Sequence, residues 1–390
     1  MRIGILSAAF WNSGYGIQAK YLAHLLKGLG HDVALFAYTG LQGSPIVSDG
    51  IPILPKLHDF MGQDMQMHAR AWRADVVIPV MDVFNLVLPN WEGTRLAAWF
   101  PVDHFPLSRQ ATARLPHLFD SLVYSQWGAS VCAAAGVPAS YLPCMVDTEV
   151  YRPHDRSEAR AALGWPDDYY IIGMVGANVD VPSRKAFWQQ LRAFALFHEE
   201  HPSSLLYLHT FLNAGAEQKG ENILGMCRQL GLEPGVDILF PDQYQYLLGF
   251  PPSHMACLYN AFDVFLGCAT GEGFCVPLIE AQACGTPVVT GSWTSMGELC
   301  FAGWTVPQAR AMVYGKEIDD DLMWGQLEGS KVFPRVSAIV EALEKAWQAK
   351  NDDSLREKAR SAALAFDVEN VARLFWQPRI AEWEGRIANG

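Results

Sequence analysis

The first forty residues follow a pattern that few folds can accommodate. A short apolar run, RIGILSA, ends in a glycine-containing turn, FWNSGYG, and IQAKYLAHLLKGLG then places apolar residues at helical spacing. HDVALFAY returns to a strand pattern. A strand, a glycine turn, a helix and a second strand in this order are typical of doubly wound α/β proteins, in which parallel strands are connected through helices.

The same order of elements continues and then starts again after a polar, proline-bounded stretch at residues 143–166. We therefore expect two parallel α/β domains with a boundary near residue 165. The tail after residue 335 has the pattern of three helices. Strands are predicted at 74–80, 95–100, 121–125, 139–142, 169–175, 204–209, 236–240, 262–267 and 287–290, and second-half helices at 185–200, 220–230, 253–260 and 277–285.

Composition narrows the class of protein. The sequence contains no apolar run near the ~18 residues that a membrane span needs, and its start lacks the pattern of a signal peptide, so we expect a cytoplasmic protein without integral membrane association. The eight cysteines never form Cys-x-x-Cys, which favours reduced packing residues and no metal site. Most of the net charge of −12 lies after residue 165, so the near-neutral first half tolerates an anionic ligand better.

The stretch ATGEGFCVPLIEAQACGTPVV, residues 269–289, is the strongest candidate for a binding loop. It follows the strand AFDVFLG, and ligands of doubly wound sheets bind beyond the carboxyl ends of strands. Pro277 is favoured in the first turn of a helix, which predicts a helix start here. The amides expected to point at an anion, most simply a phosphate, are those of Val276, Leu278 and Ile279.

The same stretch contains two acids, Glu272 and Glu280, which are unexpected beside a phosphate because their charges would repel it. Carboxylates accept hydrogen bonds from neighbouring hydroxyls, and a sugar nucleotide combines a diphosphate with a ribose and a hexose. The pair would then bind the two sugar rings of one ligand. Taken singly, each acid has a simpler interpretation: Glu280 stabilises the start of its own helix, and Glu272 is a solvated loop acid.

The motifs together resemble the GT-B glycosyltransferases, in particular the retaining glycosyltransferase family 4. Its signature, a glutamate, seven residues and a second glutamate, is matched within LYNAFDVFLGCATGEGFCVPLIEAQACGTPVVTG. The resemblance extends to SGYGIQAKYLAHLLKGLGHDV, YLPCMVDTEVYRP and GANVDVPSRKAFWQQLRAFALF, in the same order along the chain.

The resemblance implies an α/β fold of GT-B type, with two Rossmann-like domains, a donor cleft between them and a C-terminal helix that crosses back to the first domain. Residues 1–165 plus 366–390 would form the acceptor-binding domain, and residues 166–365 the donor-binding domain. By position in the family motifs, Glu272 would hold the donor hexose and Glu280 the ribose. Lys185, with Arg184 beside it, would meet the diphosphate, which the backbone at Gly16 would also approach.

His104 in WFPVDHFP is similar to a family histidine that lies near the reacting sugar, and Asp103 is its rival for that role. The chain also departs from the family pattern. Cys275 replaces the second glycine of a Gly-Phe-Gly loop and would add a side chain against the donor. Asn178 stands where the family often has an arginine, so it can supply only a neutral hydrogen-bond donor to the phosphates.

The implied reaction is hexosyl transfer from a UDP-sugar or GDP-sugar with retained configuration, without a metal and without a cofactor. The acceptor is expected on the first domain, where Arg109 and Arg114 are candidate binding residues. We rank a glycan or lipid-linked saccharide first, a small metabolite second, and a hydroxymethylpyrimidine in modified DNA, as in phage enzymes, third. The alternatives are a GT-B-like nucleotide-sugar epimerase or hydrolase, and a non-catalytic sugar-nucleotide-binding protein.

Overall fold

A computed structural model describes residues 1–9, 13–56, 63–212, 220–308, 311–313 and 330–389. The described residues divide into two compact units. One comprises the described residues of 1–145 together with 368–389, and the other comprises those of 146–367.

The first unit is built on parallel strands. Five of its strands form a sheet in the order β3-β4-β2-β1-β5, in which only β3 runs antiparallel to its neighbour, and β6, β7 and β8 form a second parallel set. Single bridges from Val77 to Leu96 and from Val80 to Trp99 join β5 to β6. The elements are β1 (Arg2–Ala8), α1 (Gly14–Gly28), β2 (Asp32–Thr39), β3 (Ile46–Ser48), β4 (Ile51–Leu54), α2 (Gln63–Trp72), β5 (Val76–Pro79), β6 (Ala97–Phe100), α3 (Arg109–Arg114), β7 (Asp120–Val123), α4 (Gln126–Ala134) and β8 (Ser140–Tyr141).

The second unit contains a six-stranded parallel sheet in the order β11-β10-β9-β12-β13-β14 and a small antiparallel pair, β15-β16. Its central strands are mostly apolar and almost completely buried, as is usual for parallel sheets. Its elements are α5 (Arg156–Leu163), β9 (Tyr170–Val175), α6 (Phe187–Glu200), β10 (Ser204–His209), α7 (Ile223–Gln229), β11 (Ile238–Leu239), α8 (Gln243–Leu248), α9 (Pro252–Ala261), β12 (Val264–Gly267), α10 (Val276–Ala283), β13 (Val288–Gly291), α11 (Thr294–Glu298), β14 (Gly303–Val306), β15 (Ala311–Val313), β16 (Ser330–Val332), α12 (Val336–Gln348) and α13 (Asp353–Ala363).

The last helices, α14 (Val368–Val371) and α15 (Gln377–Ala388), pack within the first unit. Trp376 and Trp383 are completely buried there, and the Trp376 ring meets Trp99 edge-on with centroids 5.1 Å apart. The Trp383 indole N–H donates to Asp120 at 2.7 Å. Two buried tryptophans supply the apolar area that fixes such a terminal segment.

The first unit ends at Met145, whereas the sequence analysis placed the domain boundary near residue 165. The reason is that α5 packs in the second unit through a buried ion pair. The Arg160 guanidinium lies 2.6 Å from Asp263 and also donates to the Ala261 carbonyl at 3.0 Å. A buried charge needs such partners, so the polar stretch that looked like a linker is part of a folded unit.

Candidate donor-binding site

Glu272 lies in the loop that follows β12, at the carboxyl edge of the second unit's sheet. The residue is only 6% exposed. Its backbone N–H donates to the Thr294 hydroxyl at 3.2 Å, and its carbonyl accepts the Ser295 hydroxyl at 2.8 Å. Both partners belong to α11, which follows the neighbouring strand β13. The loop is therefore fixed from the next strand along the sheet.

The Glu272 carboxylate is bound by two cations at once. Arg184 Nη1 lies 2.7 Å from Oε2, and Lys185 Nζ lies 2.5 Å from Oε1. Arg184 also donates to the Gly271 carbonyl at 2.9 Å. We call Glu272, Arg184 and Lys185 the ion triad. The structure thus brings Glu272 together with two adjacent cations that lie almost ninety positions earlier in the sequence.

The charges of the ion triad control how Glu272 titrates. Burial acts to raise the pKa of its carboxyl, but the attraction of Arg184 and Lys185 and the hydrogen bonds from both outweigh burial, so the pKa is lowered. Glu272 is therefore an anion at neutral pH. Two cations against one anion leave the triad with an excess positive charge, which suits an anionic ligand.

Glu280, in the second turn of α10, is equally buried but has neutral partners. The Tyr259 hydroxyl donates to its Oε2 at 2.8 Å, and the Tyr151 hydroxyl is a second donor. Burial raises the pKa of Glu280 to about 7, and the two tyrosine hydrogen bonds offset only part of that effect. The two glutamates of the motif therefore occupy electrostatically different sites.

Three residues without the freedom of glycine adopt left-handed backbone at this edge of the sheet. Ala186 has φ of 50°, Cys275 has φ of 71° and Thr294 has φ of 54°. Each stands at or next to the start of a helix, α6, α10 and α11 respectively. Such conformations cost energy for side chains with a Cβ, and their concentration in one place is typical of functional sites.

Cys275 therefore occupies a backbone position that favours glycine. Burial raises the pKa of its thiol to about 12, and the negative charge of Glu272 adds to that effect. The thiol is neutral at physiological pH and is a packing group rather than a nucleophile.

The start of α10 differs in one respect from the sequence analysis. Pro277 lies in the first turn as expected. The Leu278 N–H, however, donates to the Cys275 carbonyl at 3.0 Å, so the prediction of a free amide was wrong at this position. The tight turn at the left-handed residue directs that N–H inward. Val276 begins the helix, and its role as a donor to an anion stays a prediction.

Asn178, expected to offer a neutral donor to phosphates, has a structural role instead. It is 6% exposed, and its side-chain N–H groups donate to the Phe211 carbonyl at 3.1 Å and the Glu221 carbonyl at 2.8 Å. Its oxygen accepts the Glu221 N–H at 2.7 Å. These bonds use both side-chain N–H groups, so Asn178 fastens the segment before α7 to the loop after β9.

In the first unit, Asp103 and His104 follow β6 and form a pair. His104 Nδ1 lies 2.7 Å from Asp103 Oδ1, with both side chains partly exposed. The sequence analysis treated them as rivals for one role, whereas the structure pairs them, and a carboxylate that binds one ring nitrogen orients the imidazole.

Gly16 and the two candidate arginines lie elsewhere in the first unit. Gly16 is inside α1, and its N–H donates to the Ser13 hydroxyl that caps the helix, so it is not a loop residue as expected. Residues 10–12 of the preceding loop lie outside the described residues.

Arg114 Nε donates to the Leu86 carbonyl at 2.6 Å and Nη1 to the Gln110 carbonyl at 2.9 Å, so this side chain binds neighbouring backbone of the first unit. Arg109 begins α3 and is exposed.

Sequence reasoning missed the residues that support the two glutamates. Thr294 and Ser295 hold the backbone of Glu272, and Tyr151 and Tyr259 bind the carboxylate of Glu280. The segment GSWTSMGE offered a signal, since it follows the strand next to β12 and so reaches the same edge. Nothing comparable marked the tyrosines, which come from distant parts of the sequence.

Two searches over the described part of the chain gave negative results. No group of three or more His, Cys, Asp or Glu side chains there is placed to hold a metal ion. No described helix combines the length and apolar character needed to cross a bilayer.

Part of the chain is similar in sequence to known glycosyltransferases. Residues 155–300 match the family model for glycosyl transferases group 1. The D-inositol 3-phosphate glycosyltransferase of Mycobacterium tuberculosis is 31% identical over 147 residues, which are 38% of this chain and 28% of that protein. The match therefore spans little more than a quarter of the relative's length.

Solved structures resemble the chain over nearly its whole length. A sucrose-phosphate synthase from Thermosynechococcus elongatus gives a TM-score of 0.76 at 17% identity, covering 99% of this chain and 100% of that one. Anabaena HepE in complex with UDP and glucose gives 0.67 at 17% identity, covering 98% and 100%. The chain has the fold of GT-B glycosyltransferases, and its segment 155–300 is similar in sequence to glycosyl transferases group 1, as its motifs indicated.

Proposed function

We propose that the protein is a glycosyltransferase that moves a hexosyl group from a nucleoside diphosphosugar to a hydroxyl acceptor, with retained configuration and without a metal or cofactor. The observation that carries this proposal is the ion triad, whose Glu272 lies in the loop that leads from β12 into α10. A buried carboxylate bound by two cations beside a helix N-terminus offers groups for both halves of such a donor, its hydroxyls and its phosphates.

Donor binding requires the cations to serve two anions. Arg184 and Lys185 both donate to the Glu272 carboxylate, and the diphosphate would bind the same guanidinium and ammonium groups. Glu272, still held by α11 through its backbone, would accept hydrogen bonds from the hexose hydroxyls. Glu280 would do the same for the ribose, with Tyr259 and Tyr151 keeping its carboxyl in place.

The transfer balances without a protein nucleophile. The acceptor oxygen forms a bond to the anomeric carbon as the bond from that carbon to the diphosphate breaks, and the electron pair of the broken bond stays on the diphosphate. The acceptor proton passes to the leaving phosphate oxygen on the same face of the sugar. Arg184 and Lys185 stabilise the negative charge that develops on the leaving group, an effect that preorganised charges perform best.

The acceptor, by this proposal, binds the first unit and lies near the paired Asp103 and His104. The order of acceptor classes remains a glycan or lipid-linked saccharide, then a small metabolite, then a modified base in DNA, and a cytoplasmic location is part of the proposal. The donor is a UDP-sugar or a GDP-sugar. The UDP and glucose bound in Anabaena HepE support a nucleoside diphosphate as the ligand class.

The test measures thermal shifts with UDP and GDP in the wild type and in Lys185→Ala, with Lys345→Ala as the matched control because Lys345 is an exposed lysine of α12. We expect one nucleotide to stabilise the wild type and the control equally. Lys185→Ala should weaken that binding by about tenfold or more, since it removes a charged hydrogen-bond donor. Equal shifts in all three proteins would contradict the proposal.

The reaction products distinguish a glycosyltransferase from the alternative, a nucleotide-sugar epimerase or hydrolase. The protein is incubated with UDP-sugars and GDP-sugars, with and without pooled acceptors, and the products are identified by mass spectrometry. Transfer predicts a glycosylated product that requires acceptor. Free sugar or an epimer formed equally in both mixtures would favour the alternative.

A further inference from the structure

One carboxylate oxygen close to the candidate donor site has no hydrogen-bond partner. Glu221 precedes α7 in the second unit, and among the described residues none provides a hydrogen bond to its buried Oε2 atom. The other carboxylate oxygen accepts the Ser183 N–H. An unsatisfied buried oxygen costs free energy, so a carboxylate kept in this state is a candidate for binding a ligand that donates a hydrogen bond.

Glu221 lies beside the cations of the ion triad. Ser183, whose N–H it accepts, directly precedes Arg184 and Lys185 in the sequence, and the Lys185 N–H donates to the Ser183 hydroxyl at 3.1 Å. The strands β10, β9 and β12 are neighbours in the sheet, and Glu221, the two cations and Glu272 follow them in that order. The Glu221 carboxylate therefore belongs to the same ligand-binding edge as the ion triad.

The backbone of Glu221 is fixed at this edge. Asn178, from the loop after β9, accepts the Glu221 N–H at 2.7 Å and donates to the Glu221 carbonyl at 2.8 Å. A Cβ atom on Gly220 would lie 2.6 Å from the Asn178 carbonyl oxygen, so glycine permits this close approach. The carboxylate is thus positioned before a ligand binds, which lowers the entropic cost of binding.

An aromatic pair adjoins Glu221. The Asn178 side-chain amide donates to the carbonyls of both Glu221 and Phe211, which makes these two residues direct neighbours. The Phe211 ring stacks on Tyr246 of α8, with ring centroids 6.0 Å apart and an angle of 25° between the planes. Both residues are partly exposed. Nucleobases stack on aromatic side chains, so this pair offers a surface for the base of the donor.

From this arrangement we infer that the donor carries guanine, and that Glu221 selects this base by accepting a hydrogen bond from its Watson–Crick edge at Oε2 while the base stacks on Phe211. The inference rests on the proposed function and narrows its donor to a GDP-sugar. Glu221 as a whole is partly exposed, and the last torsion of a glutamate side chain is soft, so Oε2 reaches the ligand by rotation of the carboxylate.

Guanine and uracil differ at the edge that a carboxylate can bind. Guanine presents two adjacent donors, N1–H and the 2-amino group, whereas uracil presents one N–H between two carbonyl oxygens. An ionised carboxylate only accepts hydrogen bonds, so it matches the guanine edge and repels the uracil carbonyls. Because the acceptor is charged, each such hydrogen bond is roughly twice as strong as one between neutral groups.

Isothermal titration at pH 8 with GDP, IDP and UDP tests the choice of base. IDP, inosine diphosphate, lacks only the 2-amino group of GDP. We expect the wild type to bind GDP about tenfold more tightly than UDP and about fivefold more tightly than IDP, the scale of one hydrogen bond to a charged group. Phe211→Ala should weaken all three nucleotides, because stacking does not depend on the groups at the edge of the base.

Glu221→Gln tests whether Glu221 is the selecting group. The glutamine oxygen can still accept the Ser183 N–H, but its amino group places donors where guanine needs an acceptor. This variant should bind GDP about tenfold more weakly, lose the distinction between GDP and IDP, and bind UDP at least as tightly as the wild type. Glu233→Gln changes an exposed glutamate of the same unit and is the matched control, which should bind as the wild type does. A purely structural role of Glu221 would instead weaken GDP and UDP alike.

The outcomes separate this inference from the proposed function. Tighter binding of UDP than of GDP, equal binding of GDP and IDP, or an equal loss of GDP and UDP in a folded Glu221→Gln variant would each overturn the inference, while the proposed function would stand. Binding of none of the three nucleotides would overturn both. Thermal melting verifies folding, and if Glu221→Gln does not fold, Glu221→Asp replaces it: the shortened carboxylate should reduce the preference for GDP over IDP, and an unchanged preference would overturn the inference.

Discussion

Glu272 and Glu280 belong to one short motif and are each 6% exposed, yet the protein treats them in opposite ways. Glu272 is held by an arginine and a lysine, which lower the pKa of its carboxyl. Glu280 is held by two neutral phenols in a buried pocket, which leaves its pKa raised to about 7. Equal burial therefore does not imply an equal role, because the charge of the partners decides which form of the acid is stable.

The difference suggests a division of tasks at the donor site. In the Glu272 region, two cations bind one carboxylate and could also bind an anionic ligand. The backbone beside them is strained at Cys275 and Thr294. The Glu280 region is a hydrogen-bonded pocket without strain at the glutamate itself. Groups that respond to changing charge suit the reacting centre, whereas a fixed pocket suits a part of the ligand that does not react.

The largest expected effect is on turnover, when each glutamate is replaced by glutamine. Glu272→Gln should lower turnover by about a hundredfold or more, the scale of losing one preorganised polar contact at a reacting centre. Glu280→Gln should chiefly raise the donor Michaelis constant, because ribose contacts are equal before and during reaction. Steady-state kinetics with varied donor measure both. Full turnover in Glu272→Gln would show that the assignment of roles is wrong.

A second prediction is that Glu272 and Glu280 change the free energy of unfolding in opposite directions as the pH is raised. Glu280 has a folded pKa of about 7, above the usual 4.5, so between these values the folded protein keeps a proton that the unfolded chain releases. The free energy of unfolding should then fall by roughly 3 kcal/mol across this window from Glu280 alone. For Glu272, whose pKa is lowered, the sign reverses: its contribution is present above the unfolded pKa and is lost as pH falls through the folded pKa.

Urea unfolding at pH 5 and pH 8 measures this difference. Relative to wild type, Glu280→Gln should gain roughly 3 kcal/mol between the two pH values, because the amide cannot be ionised. Glu272→Gln should show no such gain. Parallel pH dependence in the wild type and Glu280→Gln would contradict the raised pKa.

A third prediction concerns a nucleoside diphosphate that carries no hexose. Arg184 and Lys185 bind Glu272, and in the proposed function they would also bind the phosphates. Glu272→Gln removes the competing anion, so this variant should bind the nucleotide about fivefold more tightly, near 1 kcal/mol, although it transfers sugar poorly. Glu280→Gln should bind it more weakly. Isothermal titration compares them, and weaker binding by Glu272→Gln would mean that the triad does not compete with the ligand.

The sequence predicted the elements at this site better than it predicted their contacts. The helix expected at 185–200 is Phe187–Glu200, and the strand expected at 262–267 is Val264–Gly267, because apolar periodicity is a local signal. The loop with Glu272 was predicted at this edge because it follows a strand, whereas Arg184 and Lys185 were assigned to the site by the family resemblance. The tyrosines at Glu280, the pairing of Asp103 with His104 and the structural use of Asn178 and Arg114 depend on tertiary contacts, which no local pattern encodes.

The smallest expected effect concerns the strained backbone beside Glu272. Cys275 has φ of 71° and replaces a glycine of the family pattern, so its Cβ adds a conformational cost that glycine avoids. Cys275→Gly should therefore be more stable than Cys275→Ala by about 1 kcal/mol. Cys257 lies inside α9, where the order should reverse, because glycine is about 1 kcal/mol less favourable than alanine in a helix. Chemical denaturation of the four variants tests both. If the alanine variant were the more stable one at both positions, the left-handed conformation at Cys275 would impose no energetic cost. The backbone strain assigned to the Glu272 region would then be wrong.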